Sequence, residues 1–217
     1  MNEETIVLAN VSWGDIQVEA LAKMFLNKLP FTVADLPSFR TNKTYSPYLA
    51  RMPFVANEGL NIILSRGVGL VKRLTLTEKE QVDISGVNQK LYCFDLQKTT
   101  ANFKAVEGVQ VNGLPYNNYM IKLGKYLYLD KSIYTDNVVE VIYRTYVTPI
   151  TSETTDDTIL DIPYEVATIL PTYMASELYK DDDLALSTVY RNQFEVELDA
   201  LRNPDDDTSI TDVCGWL

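Results

Sequence analysis

Hydrophobic positions along the chain change their period twice. From about Trp13 to Leu29, Ile16, Ala20, Met24 and Leu26 recur near 3.6 residues, which predicts a helix capped by Ser12 or Asp15. Leu29 to Thr44 follows as a loop carrying Pro30 and Pro37. A second helix is expected from Ser46, with Ser46 as N-cap and Pro47 at the favoured first position. Leu49, Phe54, Leu60, Ile63 and Leu64 form its apolar face, and Gly67 and Gly69 end it. Pro53 falls inside and predicts a kink or a restart.

From Gly69 the period becomes two. Leu70 to Glu78 alternates, with Val71, Arg73 and Thr75 on one face and Lys72, Leu74 and Leu76 on the other. Further strand candidates are Lys90 to Leu96, Ala105 to Gly113, Asn118 to Leu123, Tyr126 to Asp130 and Val138 to Thr148. Leu123-Gly-Lys-Tyr126 reads as the bend of a tight hairpin. Five to seven short strands in about 80 residues predict an antiparallel sandwich or small barrel.

Thr148 to Pro163 is polar and reads as a linker. The helical period then returns. Pro163 opens a helix that Asp161 is placed to cap, with Pro171 expected to bend it. A last helix, from about Leu184 to Leu201, carries Leu186, Tyr190, Phe194, Leu198 and Leu201 as one apolar stripe. Asn203 to Leu217 has no period and ends in Val213, Trp216 and Leu217. The expected class is α+β: a helical body from the N- and C-terminal helices, with an inserted antiparallel β-sandwich or barrel-like domain. The boundaries fall at 1–68, 69–148, a linker 149–162, a helical hairpin 163–202 and an arm 203–217.

Composition narrows the function. The chain of 217 residues carries 19 basic and 30 acidic side chains, a net −11, which argues against a surface that grips nucleic acid. Histidine is absent, which removes every mechanism that relies on a Ser-His or Cys-His pair or a histidine-ligated metal. Cys93 and Cys214 show no paired spacing. No basic segment precedes an apolar core at the start, and no apolar run approaches membrane-spanning length. The 14 tyrosines suit sheet packing, and tyrosine also favours protein interfaces.

Candidate chemistry is sparse. Asp181, Asp182 and Asp183 are consecutive, whereas a calcium loop needs alternating oxygens with a glycine at its centre. They read instead as a helix-to-helix turn with a cap. Asp205, Asp206 and Asp207 read as a solvated run. Glu107 and Glu140 are the weak candidates for a carboxylate pair. Ser65 to Lys72 lacks the phosphate-loop pattern. Tyr126, Tyr128, Tyr134, Tyr143 and Tyr146 are dense enough to suggest a rival function, a carbohydrate-binding β module. No catalytic residue, metal ligand or cofactor is expected.

Several stretches resemble a known family. SPYLARMPFVANEGLNIIL, YCFDL with NFKAV nearby, and the run from Thr148 to Leu198 are similar to head–tail connector (neck or adaptor) structural proteins of tailed bacteriophages. The C-terminal piece carries most of this: an Ile-Pro start, L-P-x-Y-x-A-x-E-L, an acidic break and Y-R-N-x-F-E-x-x-L. The resemblance implies a non-enzymatic virion protein of the neck, present in the host cytoplasm during assembly. It implies a homo-oligomeric ring of about twelve copies that docks on the portal protein and meets a downstream neck or tail protein. DNA would pass through the lumen without specific binding, and no membrane is involved. It also implies a C-terminal arm on the portal, for which Asp212, Val213, Cys214, Gly215, Trp216 and Leu217 are the candidates. Another neck, stopper or tail-side ring is the nearest alternative.

Overall fold

The structure, a computed structural model, describes residues 10–25, 31–66, 70–77, 90–100, 102–134 and 137–202. It is a mixed helix-and-strand fold with two antiparallel sheets, and no sheet closes into a barrel among the described residues. The chain divides into two compact units, one of Met1–Val68 with Pro149–Leu217 and one of Gly69–Thr148.

In the helical unit, α1 (Trp13–Met24) starts at a reciprocal cap. The Ser12 hydroxyl accepts from the Asp15 amide at 3.1 Å, and the Asp15 carboxylate accepts from the Ser12 amide at 2.9 Å. Ser12 is thus the N-cap and Asp15 its partner. Trp13, Ile16, Ala20, Leu21 and Met24 are buried at helical spacing. The helix stops at Met24, short of the expected Leu29, where the backbone of Phe25 leaves helical geometry. A short 3₁₀ turn (Val33–Asp35) and α2 (Leu36–Phe39) lead to α3 (Ser46–Ser65).

Ser46 begins α3 rather than capping it; the cap position is Tyr45, with no side-chain cap bond. Pro53 neither ends nor restarts this helix. One proline removes a single amide donor, and the packed face Met52, Val55, Ala56, Gly59, Leu60 and Ile63 holds the rest. Along α5 (Tyr164–Leu178), Gly59 lets the two backbones approach: a Cβ there would lie 2.6 Å from the Tyr173 ring and 2.9 Å from Leu170. Helix α5 is buried almost all round. It starts from Pro163 as N-cap, not from Asp161, and Pro171 leaves it continuous. Helix α6 (Leu184–Arg202) completes the unit. Its buried positions are Ser187, Phe194 and Leu198, while Leu186, expected in the stripe, is 40% exposed.

Residues 149–162 differ from the expected linker. Ile150, Leu160 and Ile162 are buried. The amides of Trp13 and Gly14, in the first turn of α1, donate to the carbonyls of Thr158 and Asp156, both at 2.8 Å. Helix-start amides have no partner within their own helix, so this segment supplies one. Asn57 brackets Ile150 with two bonds, of 2.7 and 2.9 Å. Arg40 forms a two-pronged pair with Asp156.

The β unit holds β1 (Leu70–Thr75), β2 (Leu91–Asp95), the short α4 (Leu96–Thr99), β3 (Phe103–Val111), β4 (Leu114–Tyr116), β5 (Met120–Lys122), β6 (Tyr126–Asp130) and β7 (Val139–Thr145). Its sheets run β1-β7-β3-β4 and β2-β6-β5. Both contribute to one core, with Phe94, Leu127 and Leu129 from the second and Phe103, Val109, Val139, Val141 and Tyr143 from the first. Strand β4 was not expected. The turn that creates it is Asn112-Gly113, with φ of 50° and 77°, directly between the paired Val111 and Leu114.

Candidate functional site

The α5–α6 hairpin carries the residues singled out by the sequence, and α1 and α3 hold it in place. Each aspartate of its turn has a separate partner. The Asp183 carboxylate accepts from the amides of Ala185 and Leu186, both at 3.0 Å, which makes it the cap of α6. Asp182 accepts from the Tyr48 hydroxyl of α3 at 2.6 Å. Asp181 pairs with Arg51 at 3.0 Å across an exposed surface, where such a pair contributes at most about 1 kcal/mol. The three carboxylates are splayed, and no group of three acids, cysteines or histidines is placed to hold a metal among the described residues. The Asp182 hydrogen bond, then burial, pushes the Tyr48 phenol up to about 12.

Below the turn, Tyr179 and Tyr190 stack with centroids 6.0 Å apart and planes at 7°. Their hydroxyls donate to the carbonyls of Met24 and Lys23, Tyr190 at 2.6 Å. The C-terminal carbonyls of α1, orphaned within their own helix, are satisfied this way. Burial raises both phenols above the ordinary tyrosine value. Deeper still, Glu177 receives Lys180 and Arg191. Arg191 also reaches Glu195 at 3.1 Å and lies over the rings of Tyr173 and Phe194, at 5.2 and 5.7 Å. Arg66, the C-cap of α3, reaches Glu195 at 3.7 Å. Burial, then the nearby Glu177 carboxylate, holds the Tyr173 phenol well above its usual value.

A polar cleft lies among Trp13, Gln17, Arg40, Leu49 and Thr154. Its one charged lining group, Arg40, is already tied to Asp156. A set of hydroxyls, an amide and a paired guanidinium can hold a polar neighbour but offers no base to activate a nucleophile.

In the β unit, Glu107 is paired with Arg144 at 2.6 Å, and Glu140 sits opposite Thr75 and Gln110 in the ladders. The tyrosines do not form one exposed platform. Tyr143 and Tyr128 are buried, Tyr126 is half-buried under Lys125, and Tyr146 is exposed. Asp205, Asp206 and Asp207, the arm residues Asp212 to Leu217 and the Tyr134 side chain lie outside what the structure describes.

Two surface features escaped the sequence reading. One is Leu123, 86% exposed at φ 51° in the loop between β5 and β6. The visible signal was a leucine where the neighbouring hairpin uses asparagine. The other is the distribution of charge. Residues 149–217 hold 16 acidic and 3 basic side chains, residues 69–148 hold 8 and 10, and residues 1–68 hold 6 of each. The C-terminal portion therefore stands at −13 and the β region at +2.

No helix among the described residues is long and apolar enough to cross a membrane. No protein-family model matches the chain, and a search of curated proteins finds no match.

Proposed function

We propose that the chain is a structural protein of a tailed-bacteriophage virion, a head-to-tail adaptor that forms a ring on the portal and continues the DNA channel toward the tail. One observation carries this reading. The two C-terminal motifs that carry most of the resemblance to such connectors fall on one hairpin, α5–α6, and several of their residues pack there. Pro171, Tyr173, Ala175, Glu177 and Leu178 of the first motif are buried, and Arg191 and Phe194 of the second close over Tyr173. The body is helical, built from both ends of the chain, and the β-sandwich-like unit is inserted into it.

The mechanism is passive and electrostatic. Copies arranged with exposed carboxylates of residues 149–202 toward the lumen would line it with negative charge, which repels DNA phosphates and leaves a low-friction passage. No cofactor or metal takes part, and the protein is not an enzyme. The arm from Asn203 to Leu217 docks on the portal through Trp216 and Leu217, since buried aromatic anchors dominate such contacts.

Sedimentation of the purified chain with and without the cognate portal tests the reading. A portal-bound ring of about twelve copies is expected. A single copy that ignores portal and binds glycans overturns it. A ring that ignores portal and joins a tail-side protein moves it to another neck or stopper position. Removing Ser209 to Leu217 should abolish portal attachment and leave the helical signal unchanged; unchanged attachment refutes the arm.

A further inference from the structure

Two exposed surfaces serve no part of the described core. The first is the outer face of α6. Leu186, Val189, Gln193, Val196 and Ala200 recur at steps of three and four and form one uncharged stripe. Leu186, Val189 and Val196 are 40, 58 and 71% exposed. The inner face of the same helix is already packed through Phe194 and Leu198. A surface helix ordinarily places charges on its outer face. Here the acids Glu197 and Asp199 only flank the stripe, and Arg191, the one basic residue from Leu184 to Leu201, is engaged inward with Glu177 and Glu195.

The second is the tip of the β5–β6 hairpin. Leu123 holds a left-handed backbone, which strains a branched L-residue, and its side chain projects into solvent. Between β3 and β4 the chain solves the same problem with Asn112-Gly113. The Leu123 side chain is not buried within its own fold, and backbone strain of this kind concentrates at functional contacts. Met120 and Ile121 of β5, an edge strand, are also exposed, and Lys122 and Lys125 flank the tip.

We propose, resting on the ring reading above, that the β5–β6 tip of one copy packs on the outer stripe of α6 of the next copy. Leu123 is its anchor, and Lys122 faces the acids beside the stripe, while Lys125 stays with Asp95 of its own chain at 3.8 Å. Charge selects this partner. Two α6 faces meeting each other would oppose carboxylate to carboxylate, whereas the β region and the C-terminal portion carry opposite net charge. The contact is heterologous, so an open assembly keeps one free tip at one end and one free stripe at the other until the ring closes.

The test uses two full-length variants, Leu123→Gly for the tip and V189D/V196D for the stripe. Both sites are exposed, so both variants should keep wild-type circular dichroism. Sedimentation velocity across a concentration series should show each alone weakened in self-association by at least about tenfold. Mixed in equal amounts, they should form a two-copy complex that does not grow, because one intact tip meets one intact stripe. Variants that assemble like wild type overturn this contact and leave the ring standing. A mixture that stays monomeric also overturns it. A wild-type chain that stays single with and without portal overturns the ring reading and this contact with it.

Discussion

Gly59→Ala tests the packing that makes the helical unit one body. The added Cβ would lie 2.6 Å from Tyr173 Cδ1 and 2.9 Å from Leu170 Cδ1. Neither neighbour can yield cheaply, since both side chains are fully buried and Tyr173 also packs against Phe194 at 5.0 Å. Overpacking of this kind costs about 1–3 kcal/mol, and contacts this short place it at the upper end. Replacing a helical glycine by alanine returns about 1 kcal/mol through propensity. The net expectation is a loss of about 1–2 kcal/mol, a drop of roughly 2–8 °C in melting temperature for a chain of this size. Urea unfolding should show a lower midpoint at unchanged slope, the sign of altered stability without altered compactness. Gly108→Ala is the control: a Cβ there meets nothing within 4 Å, so its effect should stay within about 0.5 kcal/mol. If Gly59→Ala raises the midpoint, propensity has won, and α3 and α5 do not approach as described.

Asp183→Ala should cost about 1 kcal/mol by removing the cap of α6, and Asp183→Asn should retain most of it, read by thermal melting. Leu123→Gly should leave the isolated fold as stable or raise its stability by about 1 kcal/mol, since the left-handed backbone suits glycine; a clear loss would show that Leu123 packs within its own chain. Tyr48, Tyr179 and Tyr190 all have raised pKa values. Their neutral form is favoured by folding, so the stability they add is complete below the unfolded value near 10 and is lost as pH climbs toward about 12, where Tyr48 ionises. Tyrosine absorbance and circular dichroism followed together should show phenolate formation coupled to loss of helix, and phenols that titrate freely near 10 would refute the bonds to Asp182, Met24 and Lys23.

Elements governed by local rules were legible in the sequence. A cap at Ser12 or Asp15, much of the apolar rhythm of the helices and most strands depend on residues a few positions apart; the reciprocal use of both Ser12 and Asp15, and the exposure of Phe54 on α3, emerge only in the structure. What depended on distant partners was not. Residues 149–162 look like a linker because threonine and aspartate dominate them, yet their backbone carbonyls, which composition does not reveal, hold the start of α1. The aspartate triplet reads as a turn between helices, and its partners Tyr48 and Arg51 lie more than a hundred positions earlier. Steps of four back from Leu198 reach Leu186, but four residues overshoot one helical turn of 3.6, and Ser187 is buried instead. Asn112-Gly113 is a hairpin signal in the sequence, and β4 follows from it. Leu123 is the reverse case: the hairpin was foreseen, but the strain of putting leucine there emerges only from its φ.

The discontinuity of the helical unit also has a consequence in time. Helices α1 and α3 bury their apolar faces against α5, which leaves the ribosome only after the whole β unit has been made. Roughly 100 residues separate the end of α3 from the start of α5, so at 5–20 residues per second those faces wait about 5–20 s for their partner. The β unit, contiguous in sequence, is able to close during that interval. Early helices thus depend on late ones. Chaperone capture of nascent chains should accordingly peak after α3 emerges and fall once α5 and α6 are free to dock.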